Sequence, residues 1–143
     1  MGVFSTDIPI RFADCDLAGV MFYPRLIERI QQVVERWFDQ GLGLDFHQVH
    51  VVNGWGLPTV DLHCEFVHPS RLGDVLSFTL WLEKIGRTSF IVRIEARCGG
   101  EMRAKARLVM VMRSFYRPEN TEIPTDLRTA MGKFLNPPGP EQA

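Results

Sequence analysis

Apolar positions along this chain repeat with two different periods. Asp7-Ile8-Pro9-Ile10-Arg11-Phe12 alternates polar and apolar, the pattern of a half-buried strand. From Pro24 the period lengthens. Leu26, Ile27, Ile30, Val33, Val34, Trp37 and Phe38 recur at helical spacing and form one wide stripe, with Arg25, Glu28, Arg29, Gln32, Glu35 and Arg36 opposite. The spacing predicts a helix that starts at Pro24, a residue suited to the first helical position, and closes at Gly41 or Gly43. Such a rod, roughly 25 Å long at about 1.5 Å per residue, needs a broad sheet to lie against.

Four alternating runs supply that sheet. Val60, Leu62, Cys64 and Phe66 hold one face of the first, and Leu76, Phe78, Leu80 and Leu82 one face of the second. Phe90 to Cys98 and Met102 to Met112 repeat the pattern, again with the apolar residues at even positions. One apolar face on every strand predicts packing of all four against the helix. Between the last two strands, Gly99-Gly100 must keep even positions opposite even ones. This parity predicts a three-residue or bulged hairpin, with Arg97 opposite Glu101 and Glu95 opposite Arg103. Beyond Arg113 the pattern weakens into a tail punctuated by Pro118, Pro124, Pro137, Pro138 and Pro140. A short helix is expected over Thr125 to Phe134. The fold class is therefore α+β, in a single domain over residues 1–143 with 118–143 as a C-terminal extension.

Composition narrows the function classes. A formal net charge of −1 lacks the basic excess of a general nucleic-acid binder. No apolar run approaches membrane-spanning length, and MGVFSTDIPI lacks the basic-then-apolar order of a secretory leader. Cys15, Cys64 and Cys98 are an odd, scattered set that reads as reduced thiols. A cytoplasmic protein without nucleic-acid or membrane partners is expected. The four histidines form no compact ligand pattern, and no metal is expected.

The candidate chemistry sits between the first strand and the helix, in RFADCDLAGVMFYP, Arg11 to Pro24. Asp14 and Asp16 lie in a short loop just ahead of a helix N-terminus, whose unpaired N–H groups polarise a carbonyl oxygen while a carboxylate attacks or activates water. Gly19 allows close backbone approach. Asp14 suits a role in holding the loop, and Asp16 one in chemistry. Cys15 between two carboxylates is disfavoured as a thiolate, so it reads as a packing residue. The ring of Tyr23 falls on the apolar stripe with Ile27, Ile30 and Val34, which predicts core packing for it.

Asp14-Cys15-Asp16, Ala18-Gly19, Tyr23-Pro24 and the helix behind them resemble the hotdog-fold acyl-CoA thioesterases of the 4-hydroxybenzoyl-CoA thioesterase family, whose motif reads roughly D-x-D-x-x-G-x-x-x-Y. The runs Pro69 to Asp74 and Arg87 to Phe90 resemble later parts of the same family. The resemblance implies a hotdog fold, a curved antiparallel sheet wrapped around one long central helix. It also implies an acyl-CoA thioesterase, with coenzyme A entering only as part of the substrate and no separate cofactor. Asp16 would be nucleophile or general base, and the N–H groups around Phe22 and Tyr23 would hold the thioester oxygen. Gly19, Gln31, Leu57 and Thr59 would contact substrate, and Arg71, Lys84, Arg87 and Arg117 are candidates for its phosphates. Apolar surface for an acyl ring would come from Phe22, Trp37, Trp55, Leu57 and Phe66.

Pro24 stands where some related thioesterases carry a histidine, which favours an aromatic acyl group. A homodimer or homotetramer is implied, with sites between subunits and a partner supplying residues near Leu57 to Asp61. Two alternatives stand beside this reading: a short- or medium-chain fatty acyl-CoA or acyl carrier protein thioesterase, and a non-catalytic acyl-CoA-binding protein. A dehydratase fits less well because no suitable histidine is evident, and no GxSxG elbow suggests a serine hydrolase.

Overall fold

A computed structural model of the chain describes residues 2–119 and 122–136. Strand β1 (Phe4–Pro9) leads through a short turn of 3-10 helix (Phe12–Asp14) and a loop into helix α1 (Tyr23–Arg36). The short β2 (Trp55–Gly56) precedes the long strands β3 (Thr59–Phe66), β4 (Val75–Ile85), β5 (Ser89–Cys98) and β6 (Glu101–Val111). The short β7 (Arg113–Ser114) pairs with β2, and helix α2 spans Thr125–Gly132. The main sheet is antiparallel in the order β1-β4-β5-β6-β3, so β1 and β3 are its edges.

Helix α1 forms where the stripe predicts it, with Pro24 in its first turn. It buries Leu26, Ile30, Val33 and Val34 against the sheet, and continues as a π-helical turn over Trp37–Gly41 that buries Trp37 and Phe38. Gly43, at φ +73°, then turns the chain out of the helix, and the N–H of Leu44 reaches back to the Phe38 carbonyl at 2.8 Å. A second π-helical turn, His47–Val52, has no counterpart in the sequence reading. Trp37, expected to offer surface to a substrate ring, is fully buried beside Phe38, Phe90 and Phe134 and belongs to the core.

The apolar faces of β4, β5 and β6 are buried as expected, but β3 is not. Val60, Leu62 and Phe66 are exposed on the β3 edge, where only the start of α1 faces the strand. Tyr23, expected in the core, is 63% exposed there, and its ring stands edge-on to Phe66 at 6.0 Å.

The hairpin between β5 and β6 also differs in detail. Gly99 and Gly100, at φ +56° and +86°, make a two-residue turn that pairs Cys98 with Glu101. A bulge then shifts the register between Ala96 and Arg97, so Ala96 faces Ala104 and even positions stay together. The observed pairs are therefore Arg97 with Met102 and Glu95 with Lys105, in place of the two salt-bridged pairs anticipated.

Residues 122–136 add to the core. Ile123, Leu127 and Met131 are buried, and Leu135 bridges in parallel to Leu82 of β4. The prolines at 137, 138 and 140, and the end of the expected extension, lie outside the described residues. Among the described residues no helix is long and apolar enough to cross a membrane. Nor does any group of three or more His, Cys, Asp or Glu among them converge to hold a metal ion.

Candidate active site

The loop between β1 and α1 is held from three directions, and the two aspartates divide the work. Asp14 points inward and is 3% exposed. Its Oδ2 accepts from the Arg11 N–H at 3.0 Å, its Oδ1 accepts from Arg29 Nη2 at 3.1 Å, and its carbonyl accepts from the Phe22 N–H at 2.8 Å. One residue thus ties the start of the loop to its end and to the second turn of α1. The expected holding role of Asp14 has a partner that sequence spacing did not reveal. Arg29, on the helix face opposite the apolar stripe, reaches back fifteen positions to a buried carboxylate.

The opposite wall is the turn before β4. Val20 bridges to Arg71, the Met21 N–H donates to the Ser70 carbonyl at 2.8 Å, and the Leu72 N–H donates to the Gly19 carbonyl at 3.0 Å. Arg103 braces that turn from β6. Its Nη1 donates to Asp74 Oδ2 at 2.8 Å, to the Pro69 carbonyl at 3.1 Å and to Ser70 Oγ at 3.3 Å. Within the loop, Cys15 bridges to Met21, and Gly19 at φ +74° makes the reversal that a Cβ would oppose.

Asp16 lies at the exposed tip of this braced hairpin. Its Oδ1 accepts from the Ala18 N–H at 2.9 Å and the Val20 N–H at 3.3 Å, which fixes the carboxylate's orientation. Its Oδ2 has no partner among the described residues. A carboxylate with one oxygen anchored and one free can act as nucleophile or base without reorganising. Cys15 does the reverse. Desolvation, then the negative charges of Asp14 and Asp16, push its thiol up from its ordinary pKa, which disfavours the thiolate.

The helix start departs from expectation in one atom. The Phe22 N–H is already donated to Asp14, so it is not available to a substrate oxygen. The Tyr23 N–H has no acceptor among the described residues. Beside it opens a cavity of about 310 Å³ lined by Val20, Met21, Tyr23, Leu26, Phe66 and the 67–70 segment.

The remaining candidates fall into two groups. Arg71, exposed, is on the wall of the loop and stays close to Asp16. Gln31 and Leu57 come together in a second cavity of about 370 Å³ that also has Phe46, His50, Arg113 and Phe115. Trp55 is partly buried on β2 and does not line this cavity. Lys84 and Arg87 stand at the far end of β4, an 11-residue strand, roughly 33 Å from the Arg71 end. Thr59 begins β3 opposite Met110, which in turn pairs with Phe90, so it too belongs to the far end. Arg117 is exposed beyond β7, and Arg87 pairs with Glu122 at 3.1 Å with both side chains largely in solvent.

A family model of the thioesterase-like superfamily matches residues 10–131. The chain is 30% identical over 104 residues to a 1,4-dihydroxy-2-naphthoyl-CoA hydrolase of Prochlorococcus marinus strain MIT 9303, covering 68% of each. Its fold is similar to that of 4-hydroxybenzoyl-CoA thioesterase from Pseudomonas sp. strain CBS-3, with a TM-score of 0.80 at 24% identity over 90% of this chain and 98% of that one. It is also similar to a Staphylococcus aureus protein solved in complex with CoA, with a TM-score of 0.87 at 18% identity over 99% and 91%. With an aspartate loop braced ahead of a long helix inside a wrapped antiparallel sheet, the chain belongs to the thioesterase-like superfamily, as a hotdog-fold thioester hydrolase.

Proposed function

We propose that this enzyme hydrolyses an aromatic acyl-CoA to the free acid and coenzyme A, at sites formed between two copies of the chain. The observation that carries the reading is Asp16, exposed at the tip of a rigid loop with one carboxylate oxygen fixed and the other free. The Tyr23 N–H polarises the thioester carbonyl. Asp16 then either attacks the carbonyl carbon, giving an acyl anhydride that water cleaves, or takes a proton from the attacking water. In both routes the C–S bond breaks and coenzyme A leaves as the thiolate.

The placement of the other candidates supports a shared site. In one chain, Asp16, Tyr23 and Phe66 are at one end of β3, while Thr59, Leu57, Lys84 and Arg87 are at the other. Two β3 edges that pair antiparallel bring the Thr59 end of one copy beside the Phe66 end of the other. The partner then supplies Leu57 and Thr59 near the acyl group and Lys84 and Arg87 along the coenzyme. An exposed edge with Val60, Leu62 and Phe66 unburied is the surface such pairing needs. The aromatic preference is supported by the similarity to hydrolases of naphthoyl-CoA substrates. The cavity that holds Gln31 among Phe46, Leu57 and Phe115 suits a ring with a polar substituent.

The test is thiol release from benzoyl, hydroxybenzoyl, hydroxynaphthoyl and straight-chain acyl-CoAs by wild type and Asp16→Asn. Asparagine keeps the Oδ1 acceptor that orders the loop, so the variant folds while kcat falls about 10²–10⁴-fold. Equal turnover by both proteins would remove Asp16 from the chemistry. A preference for straight chains would replace the aromatic substrate with a fatty acyl one.

A further inference from the structure

On the β1 side of the loop, away from Asp16, Arg11, Arg29 and Arg36 converge on a cavity of about 220 Å³ that also has Ile8, Ala13, Asp14 and Gln32 on its walls. Three guanidinium groups and one carboxylate line it, and Arg36 also lines a neighbouring hollow. Arg29 is the telling one. Its Nη1 donates to Gln32 Oε1 at 2.7 Å and its Nη2 to Asp14, but its Nε is buried without a partner. A buried, charged donor left unpaired is costly, and an anion nearby in the cleft would offset that cost electrostatically. Arg36 is held at the rim by Thr6 Oγ1 at 2.8 Å and the Asp7 carbonyl at 3.1 Å, through Nη1 alone. Arg11 is exposed, and its side chain makes no hydrogen bond among the described residues.

We propose that this cleft is a binding site for a phosphate-type oxyanion, with Arg11 and the Nε and Nη2 of Arg36 as its donors and the buried charge of Arg29 at its floor. Guanidinium groups suit a tetrahedral oxyanion because each offers paired donors in a fixed plane. The neighbouring hollow, which Arg36 also lines, carries Glu35, Asp39 and Asp45, and Arg29 is paired with Asp14, so of the three only Arg11 has neither a carboxylate partner among the described residues nor a place on that acidic hollow. The cleft shares no lining residue with the cavity beside Tyr23. It also lies at the β1 edge of the sheet, opposite β3, so pairing through β3 leaves it open. The site is therefore separate from the chemistry but joined to it through one side chain, because Arg29 also holds Asp14 and with it the loop.

The experiment is thermal unfolding of the full chain against inorganic phosphate at constant ionic strength, for wild type, Arg11→Gln and Arg36→Gln. The wild type is expected to gain several degrees in a saturable way, since a ligand bound only by the folded state stabilises it by mass action. Each variant is expected to bind at least tenfold more weakly. Arg11 has no partner to lose, so Arg11→Gln isolates the cleft from any general loss of stability. No saturable shift in the wild type, or the same shift in all three proteins, overturns the proposal. A CoA arm identifies the source: if CoA displaces phosphate the cleft takes a phosphate of the coenzyme, and if phosphate remains it takes a free phosphate.

Discussion

A single row across the sheet passes through Thr6, Phe78, Ala96, Ala104 and Phe66, each paired with the next. Its two phenylalanines share a face and an alternation pattern, yet Phe78 is 0% exposed and Phe66 is 49% exposed. The difference lies in what stands above them. α1 packs over β1 and β4, the inner face stays buried out to β6, and at β3 only the ring of Tyr23 stands against Phe66. Alternation reports the direction in which a side chain points. It carries no information about whether the same chain reaches over to cover it.

The largest expected effect separates those two positions. Phe78→Ala should cost about 3–5 kcal/mol, the range for deleting a fully buried phenyl group. Phe66→Ala, half in solvent, should cost well under half of that in urea melts of dilute protein. Equal losses would mean that Phe66 is covered by its own chain in solution.

Next in size is the effect of a charge placed on β3. Leu62→Lys puts a cation on the exposed inner face, one of the devices by which sheet edges avoid pairing. Sedimentation velocity should show a self-association weakened about 100-fold, or ~2.7 kcal/mol, with the circular dichroism of the chain unchanged. Turnover should fall with it if the sites lie between copies. Undiminished association would direct attention to another face.

The elements that read well from sequence are those whose cause is local. The helical stripe after Pro24, the alternation of β4 to β6 and the loop of two aspartates ahead of a helix each follow from neighbours a few positions away. The hairpin at Gly99-Gly100 was legible in its parity and not in its pairs. A shift of two residues leaves every side chain on its proper face, so the pattern does not distinguish the alternatives. Tyr23 and Trp37 both lie on the helical stripe, but one opens to solvent and the other is sealed between aromatic rings, a difference set by the sheet beneath. Arg29 and Arg103 were the least legible. Each is a long side chain on a nominally solvated face that bends to a partner 15 or 29 positions away. Such reach depends on the tertiary path, and an acid in a turn is its main signal.

The smallest effect concerns that second arginine and acts on the wall behind the loop. The hydrogen bond from Arg103, followed by that from the Arg71 N–H, holds the Asp74 carboxyl below its usual value of 3.8. A carboxyl whose folded-state pKa is depressed contributes its full share above the unfolded value and loses it as pH falls through the folded one. Arg103, raised above its own ordinary range, stays charged throughout, so the contribution is constant from neutral pH down to about pH 5. Asp74→Asn should therefore flatten the acid limb of a stability–pH curve below that point and leave its shape near neutrality unaltered. The turn that Asp74 orders carries Ser70 and Arg71, which grip Met21 and Val20, so loop order should follow the same limb. Hydrogen exchange at the Met21 amide, followed from pH 6 down through the acid limb in wild type and variant, measures this directly. Protection lost on acidification in the wild type, and already reduced at pH 6 in the variant, would tie the Asp16 hairpin to Arg103. Protection independent of both would leave Asp14 and Arg29 as the only brace.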